Sequence, residues 1–99
     1  MRNGFTNKMA ERYHIAIDLG AGSGRIIAGV QKENEIELFE TARFPNKTES
    51  CDGVECWNFA ELMNNIIAGL QLTCDKLKKA PESISCDSWA QDFGLLDSK

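Results

Sequence analysis

The stretch HIAIDLGAGSGRIIAGV, residues 14–30, constrains the fold more than any other part of the chain. An apolar run ends at Asp18, Gly20, Gly22 and Gly24 follow, and a second apolar run resumes at Ile26. The pattern reads as two strands joined by a turn of small residues. A carboxylate that closes a buried strand beside a loop almost without side chains suits a phosphate and its metal ion.

Three glycine-rich templates compete for DLGAGSGR. The dinucleotide fingerprint G-x-G-x-x-G needs a glycine where Arg25 stands, and a helix after the loop. The isoleucines and valine of RIIAGV favour a strand instead. The Walker pattern lacks its lysine altogether. The third template is a strand–turn–strand hairpin in which Gly20, Gly22 and Gly24 let the backbone approach phosphate oxygens closely and tolerate positive φ. Successive N–H groups form an anion-binding concavity there, Ser23 adds a hydroxyl donor, and Asp18 can hold Mg²⁺ directly or through its water shell. Such an assembly suits phosphoryl transfer, which asks mainly for positioning and charge neutralisation. The competing reading is a tight hairpin that uses its glycines for geometry alone, with Arg25 capping the hairpin edge.

Downstream, EIELFETARF reads as a third strand with Ile36, Leu38 and Phe44 on one face, entered through a turn at Asn34 and ended by Pro45. PNKTESCDGVEC reads as a polar loop. The period then changes: Phe59, Leu62, Met63, Ile66, Ile67, Leu70, Cys74 and Leu77 fall at helical spacing. Asn58 is the expected N-cap with Glu61 at N3, Lys76, Lys78 and Lys79 suit the C-terminal dipole, and Pro81 blocks continuation. This helix should cover one face of a sheet. ESISCDSW reads as a further strand with Ile84 and Cys86 on one side. The order β-β-β-α-β suggests that the helix crosses over to a parallel neighbour.

Ninety-nine residues make at most one small domain, which buries roughly 60–65% of its unfolded surface. A net charge of −4 and the lack of a basic face argue against nucleic acid. No run reaches the length of a membrane span, and residues 1–12 read as a polar lead-in without the apolar core of a secretory signal. Cys51, Cys56, Cys74 and Cys86 lack the spacing of a zinc site and read as free thiols in a reducing cytoplasm. The alternative is a redox pair between Cys51 and Cys56.

AIDLGAGSGR, then RF at 43–44, Trp57 before the helix and SISCDSWAQDFGLLD together resemble the N-terminal end of the rhamnulokinase-like FGGY carbohydrate kinases, from about Tyr13 to Asp97. The resemblance implies an α/β ribonuclease H-like fold of the actin/hexokinase/Hsp70 type, with residues 13–99 forming part of the first domain. It implies ATP with Mg²⁺ and a small-molecule sugar, with Asp18 on the metal side and Gly20, Ala21, Gly22, Ser23, Gly24 and Arg25 as the phosphate loop. Asp87, Trp89, Ala90 and Asp92 match the sugar-side motif, where carboxylates accept hydroxyl hydrogen bonds and an indole covers an apolar C–H face.

The sequence departs from the family pattern at Gly22, which replaces a serine, at Asn58, which replaces an aspartate, and at Ala90, which replaces a glycine near the sugar. The family's catalytic base and adenine pocket lie further downstream, so these 99 residues alone are expected not to turn over. L-Rhamnulose is the expected sugar, with other ketoses or polyols second. A non-catalytic truncated piece and a nucleotide-driven conformational device are the competing classes.

Overall fold

The computed structural model describes residues 11–90 and 94–98. Expectations for the rest of the lead-in, and for Asp92, lie outside the described residues. The elements run β1 (Tyr13–Leu19), β2 (Ser23–Gln31), β3 (Ile36–Pro45), β4 (Thr48–Cys51), β5 (Val54–Trp57), α1 (Phe59–Leu77) and β6 (Ser83–Asp87). The main sheet is mixed, in the order β3-β2-β1-β6. β1 to β3 form an antiparallel meander and β6 lies parallel to β1, so α1 makes the expected crossover.

Alternation sorts β1 into two faces. Tyr13, Ile15 and Ile17 are buried with Ile26, Ala28 and Val30 of β2 against α1, whereas His14, Ala16 and Asp18 project from the opposite, open face. The helix approaches β2 closely at Gly69, where an added Cβ would come within 2.9 Å of Ile26 Cγ1. Nearby the buried hydroxyls of Thr41 and Thr73 meet at 2.6 Å and tie β3 to α1.

The helix ends are as the sequence implies. Asn58 accepts a hydrogen bond from the Glu61 N–H at 3.0 Å. Lys78 takes the left-handed conformation with φ 61° and donates its N–H to the Cys74 carbonyl at 2.8 Å. Of the expected apolar stripe, Ile66 and Leu77 are buried, while Phe59, Met63 and Ile67 stay exposed.

Two expectations fail. The segment read as a polar loop contains the hairpin β4–β5, a two-stranded sheet of its own. Asp52 and Gly53 both have positive φ, 52° and 82°, which matches the two-residue turn favoured by the right-handed twist of a hairpin. Ile36 and Leu38 also do not share a face with Phe44. Ile26 pairs with Ala42 and Ile27 with Glu40, leaving Thr41 as an extra residue that reverses the alternation midway along β3. Phe44 therefore joins the core under α1, while Ile36 and Leu38 lie exposed on the open face.

Candidate functional site

β1 and β6 end side by side, and this brings two predicted residues together. Asp18 is in register with Arg25 of β2 on one side and with Asp87 of β6 on the other. All three side chains lie on the open face. Arg25 donates from Nε at 3.0 Å and from Nη2 at 2.5 Å to Asp18 Oδ2. The guanidinium, helped by a hydrogen bond to Asp87, holds the Asp18 carboxyl below the usual carboxylate range. Asp87 moves the other way: its hydrogen bond to Asp18, partial burial and the neighbouring negative charge raise it.

The ionic row continues across the sheet. Arg25 Nη1 lies 4.0 Å from Glu40 Oε1. Arg43 grips Glu40 with two hydrogen bonds, at 2.6 and 3.2 Å, which keep that carboxyl low. Arg43 Nη1 also reaches Ser23 Oγ at 3.5 Å. Two adjacent acids, Asp87 and Asp18, thus lead into the Arg25, Glu40 and Arg43 ion pairs from β6 to β3 along the edge where the glycine turn emerges.

Gly20 donates its N–H to the Ser23 carbonyl at 2.9 Å, which closes the turn on itself. Ala21 and Gly22 are left exposed at the tip. The buried Asn46, just after β3, holds the turn from outside: its Nδ2 donates to the Gly20 carbonyl at 3.0 Å and its backbone N–H to the Gly22 carbonyl at 3.2 Å. None of Gly20, Gly22 and Gly24 uses a positive φ; among the described glycines only Gly53 does. The three differ in what they exclude. A Cβ at Gly24 would come within 2.4 Å of the Phe44 ring, whereas one at Gly22 would meet nothing within 4 Å. Gly24 is demanded by packing, and Gly22 by nothing among the described residues.

Trp89, two residues beyond β6, packs against Trp57 at the end of β5, with ring centroids 5.0 Å apart and planes tilted by 53°. This is an ordinary geometry for a stabilising aromatic pair. Ala90 is exposed in the turn that follows. Trp57, Glu40 and Asn46 belong to this neighbourhood, although sequence reasoning gave none of them a site role. The two-residue hairpin signal at Asp52–Gly53 would have placed Trp57 at a strand end, but nothing local marks Glu40 or Asn46.

The donors present suit Mg²⁺. Asp18 is ionised, hard and partly exposed, and Asp87 stands beside it. Among the described residues no group of three or more His, Cys, Asp or Glu side chains is clustered to hold a metal. An ion here would keep several waters.

The mixed α/β sheet with its single crossover helix is compatible with the N-terminal part of a kinase domain. The relatives agree. The chain is 36% identical over 87 residues to a rhamnulokinase of Oceanobacillus iheyensis, 40% over 85 residues to one of Halalkalibacterium halodurans and 43% over 84 residues to one of Mannheimia succiniciproducens. These matches cover 88%, 86% and 83% of the chain, but only 18%, 18% and 17% of the relatives. No family model matches the sequence. The chain is therefore rhamnulokinase-like in sequence along most of its length, and it spans less than a fifth of the proteins it resembles. Among the described residues, no helix is long and apolar enough to cross a membrane.

Proposed function

We propose that the intact protein phosphorylates a hydroxyl of a keto-sugar, L-rhamnulose in the first instance, at the expense of ATP. The observation that carries this reading is the pairing of Asp18 with Asp87 at adjacent strand ends, beside a turn with an open glycine tip, in a chain similar to rhamnulokinases. Asp18 would hold Mg²⁺ through its carboxylate and the ion's waters, and such an ion, when bound, would neutralise charge on the phosphates.

The chain's own residues bind and orient. Ala21 and Gly22 present backbone N–H groups to phosphate, since the Gly20 N–H is committed within the turn. Ser23 adds a hydroxyl under the control of Arg43. Arg25 holds the Asp18 oxygen that faces it, so that the carboxylate is charged and oriented before a ligand arrives. Asp87 and Asp92 accept hydrogen bonds from sugar hydroxyls, and the Asp87 carboxyl is raised above its ordinary range by its interaction with Asp18. Trp89, braced by Trp57, covers an apolar sugar face, and the methyl group of Ala90 limits which sugar fits. None of the residues given a role here is assigned as the base that takes the hydroxyl proton.

The test is a coupled ATP/L-rhamnulose assay on the full-length protein, with Asp18→Asn beside it. Sugar-dependent ADP release, lowered at least about 100-fold by the substitution because metal neutralisation is worth several kcal/mol, supports the reading. Release that ignores the sugar, or survives Asp18→Asn, removes it.

A further inference from the structure

The β4–β5 hairpin carries two of the four thiols, Cys51 just before the turn and Cys56 on the returning strand. The register pairs Cys51 with Val54 and Glu49 with Cys56. Residues opposite each other, and residues two apart, share a face of a hairpin, so both thiols project from the same side, one diagonal step apart. Cys56 Sγ lies 3.6 Å from the Val54 carbonyl, folded back toward the turn. Cys51 is exposed and Cys56 half-buried, so the pair is open to a small reagent. The turn between them is fixed by two successive left-handed residues, Asp52 and Gly53, which holds the two strands in one register.

We propose that Cys51 and Cys56 are a redox-modification site, closing a reversible intramolecular disulfide across the hairpin with a small-molecule disulfide as oxidant. One protein thiolate attacks a sulfur of the oxidant, forming a mixed disulfide and expelling the first small thiolate. The second protein thiolate then attacks the protein sulfur of that mixed disulfide and expels the second. The protein loses two protons and two electrons, and the oxidant leaves as two thiols once it has taken up those protons. The closed form stiffens the segment that ends in Trp57. That segment touches the candidate sugar site through Trp89, and the helix start through Glu49, which accepts a hydrogen bond from Asn58 Nδ2 at 3.1 Å.

The neighbouring Cys56 thiol, desolvation and the negative charge of Glu49 hold the Cys51 thiol above its ordinary pKa. Glu49, Asp52 and Glu55 make the hairpin acidic. Exchange is therefore slow at neutral pH and disfavours anionic oxidants, so an uncharged reagent at mildly alkaline pH is the appropriate probe.

The proposal is independent of the kinase reading. Full-length protein is equilibrated with bis(2-hydroxyethyl) disulfide, remaining thiols are alkylated, and the product is cleaved after glutamate, which separates Cys51 from Cys56 at Glu55. The expected result is a peptide pair joined through Cys51 and Cys56 in most of the protein, released by dithiothreitol. A change in Trp57 fluorescence should accompany it and vanish in Cys51→Ser. Recovery of both cysteines as alkylated thiols or as separate mixed disulfides overturns the proposal, and so does either one joined to any other cysteine.

Discussion

Asp87 lies directly beside Asp18 on the neighbouring parallel strand, and their joint hydrogen bond drives the two carboxyl groups toward opposite protonation preferences. Two carboxylates side by side resist double ionisation, and Arg25 decides which of them keeps the charge. A site of this kind pairs one committed anion, fit for a metal, with one acid that retains its proton longer, fit for a sugar hydroxyl.

The pair fixes a pH dependence with two opposing parts. Asp18 is lowered on folding, so its contribution to stability is present above its unfolded pKa and lost as pH falls through the folded one. Asp87 is raised, so its contribution is present below the unfolded pKa and lost as pH rises through the folded one. Asp87→Asn removes only the second part and leaves a neutral amide to donate to Asp18. Denaturant midpoints of the full-length protein should show the variant more stable than the parent at neutral pH, with the gap closing in acid. Equal gaps at both pH values would show that the two carboxyl groups do not share a proton.

Gly22 and Gly24 separate ligand demands from packing demands. Gly24→Ala drives a methyl group into the Phe44 ring and should cost about 1–3 kcal/mol, with the unfolding midpoint lowered accordingly. Gly22→Ala meets nothing among the described residues, so its stability should stay within about 0.5 kcal/mol of the parent. Its KM for ATP should rise instead, because the methyl group stands where a phosphate would approach. Titration of both variants with ATP alongside the unfolding curves checks the pair.

Much of this architecture is legible in the residues themselves, and the losses have identifiable causes. The helix is marked by Asn58, Glu61 and a stripe at helical spacing, and these local signals survive into the structure because capping is a local hydrogen-bond problem. The pairing of Asp18 with Asp87 depends on β6 adding parallel to β1, which a β-β-β-α-β order already favours. The bulge at Thr41 is different. Its reason is tertiary, since the extra residue turns the Thr41 hydroxyl toward Thr73 of α1, 32 positions away in sequence. Period-2 reading of β3 therefore places Phe44 on the wrong face. The β4–β5 hairpin was hidden by polar composition, although Asp52–Gly53 is a strong turn signal; Thr48, Glu49, Ser50 and Cys51 are all exposed, so no apolar alternation announces the strand.

Asn46 should prove to be the residue that keeps the glycine turn in shape. Asn46→Ala removes the bond from Nδ2 to the Gly20 carbonyl but retains the backbone bond to Gly22. The net loss of one partly buried hydrogen bond is about 0.5–1.5 kcal/mol. Amide exchange at Gly20, whose N–H closes the turn on the Ser23 carbonyl, should accelerate more than exchange at Ile26, which lies within the β2 ladder. Uniform acceleration across β2 would mean that Asn46 supports the sheet and not the turn.

The uncovered surfaces predict how the 99 residues behave by themselves. Ile84 is 52% exposed although it lies on the same side of the sheet as the core, because α1 packs over β2 and β3 and stops short of β6. Ile67, Met63 and Phe59 are also exposed along the helix, while Ile36 and Leu38 leave an apolar area on the open face. β6 is also an edge strand whose outer hydrogen-bonding groups are unpaired within the sheet. Edge pairing and apolar burial favour the same outcome, so the 99-residue chain should associate with itself at micromolar concentration. Sedimentation velocity over a concentration series should show the mass rising above 11.0 kDa. Ile84→Lys places a charge on the bare edge and should return the chain toward monomer; a parent chain that is already monomeric throughout the series would show that these surfaces are not adhesive.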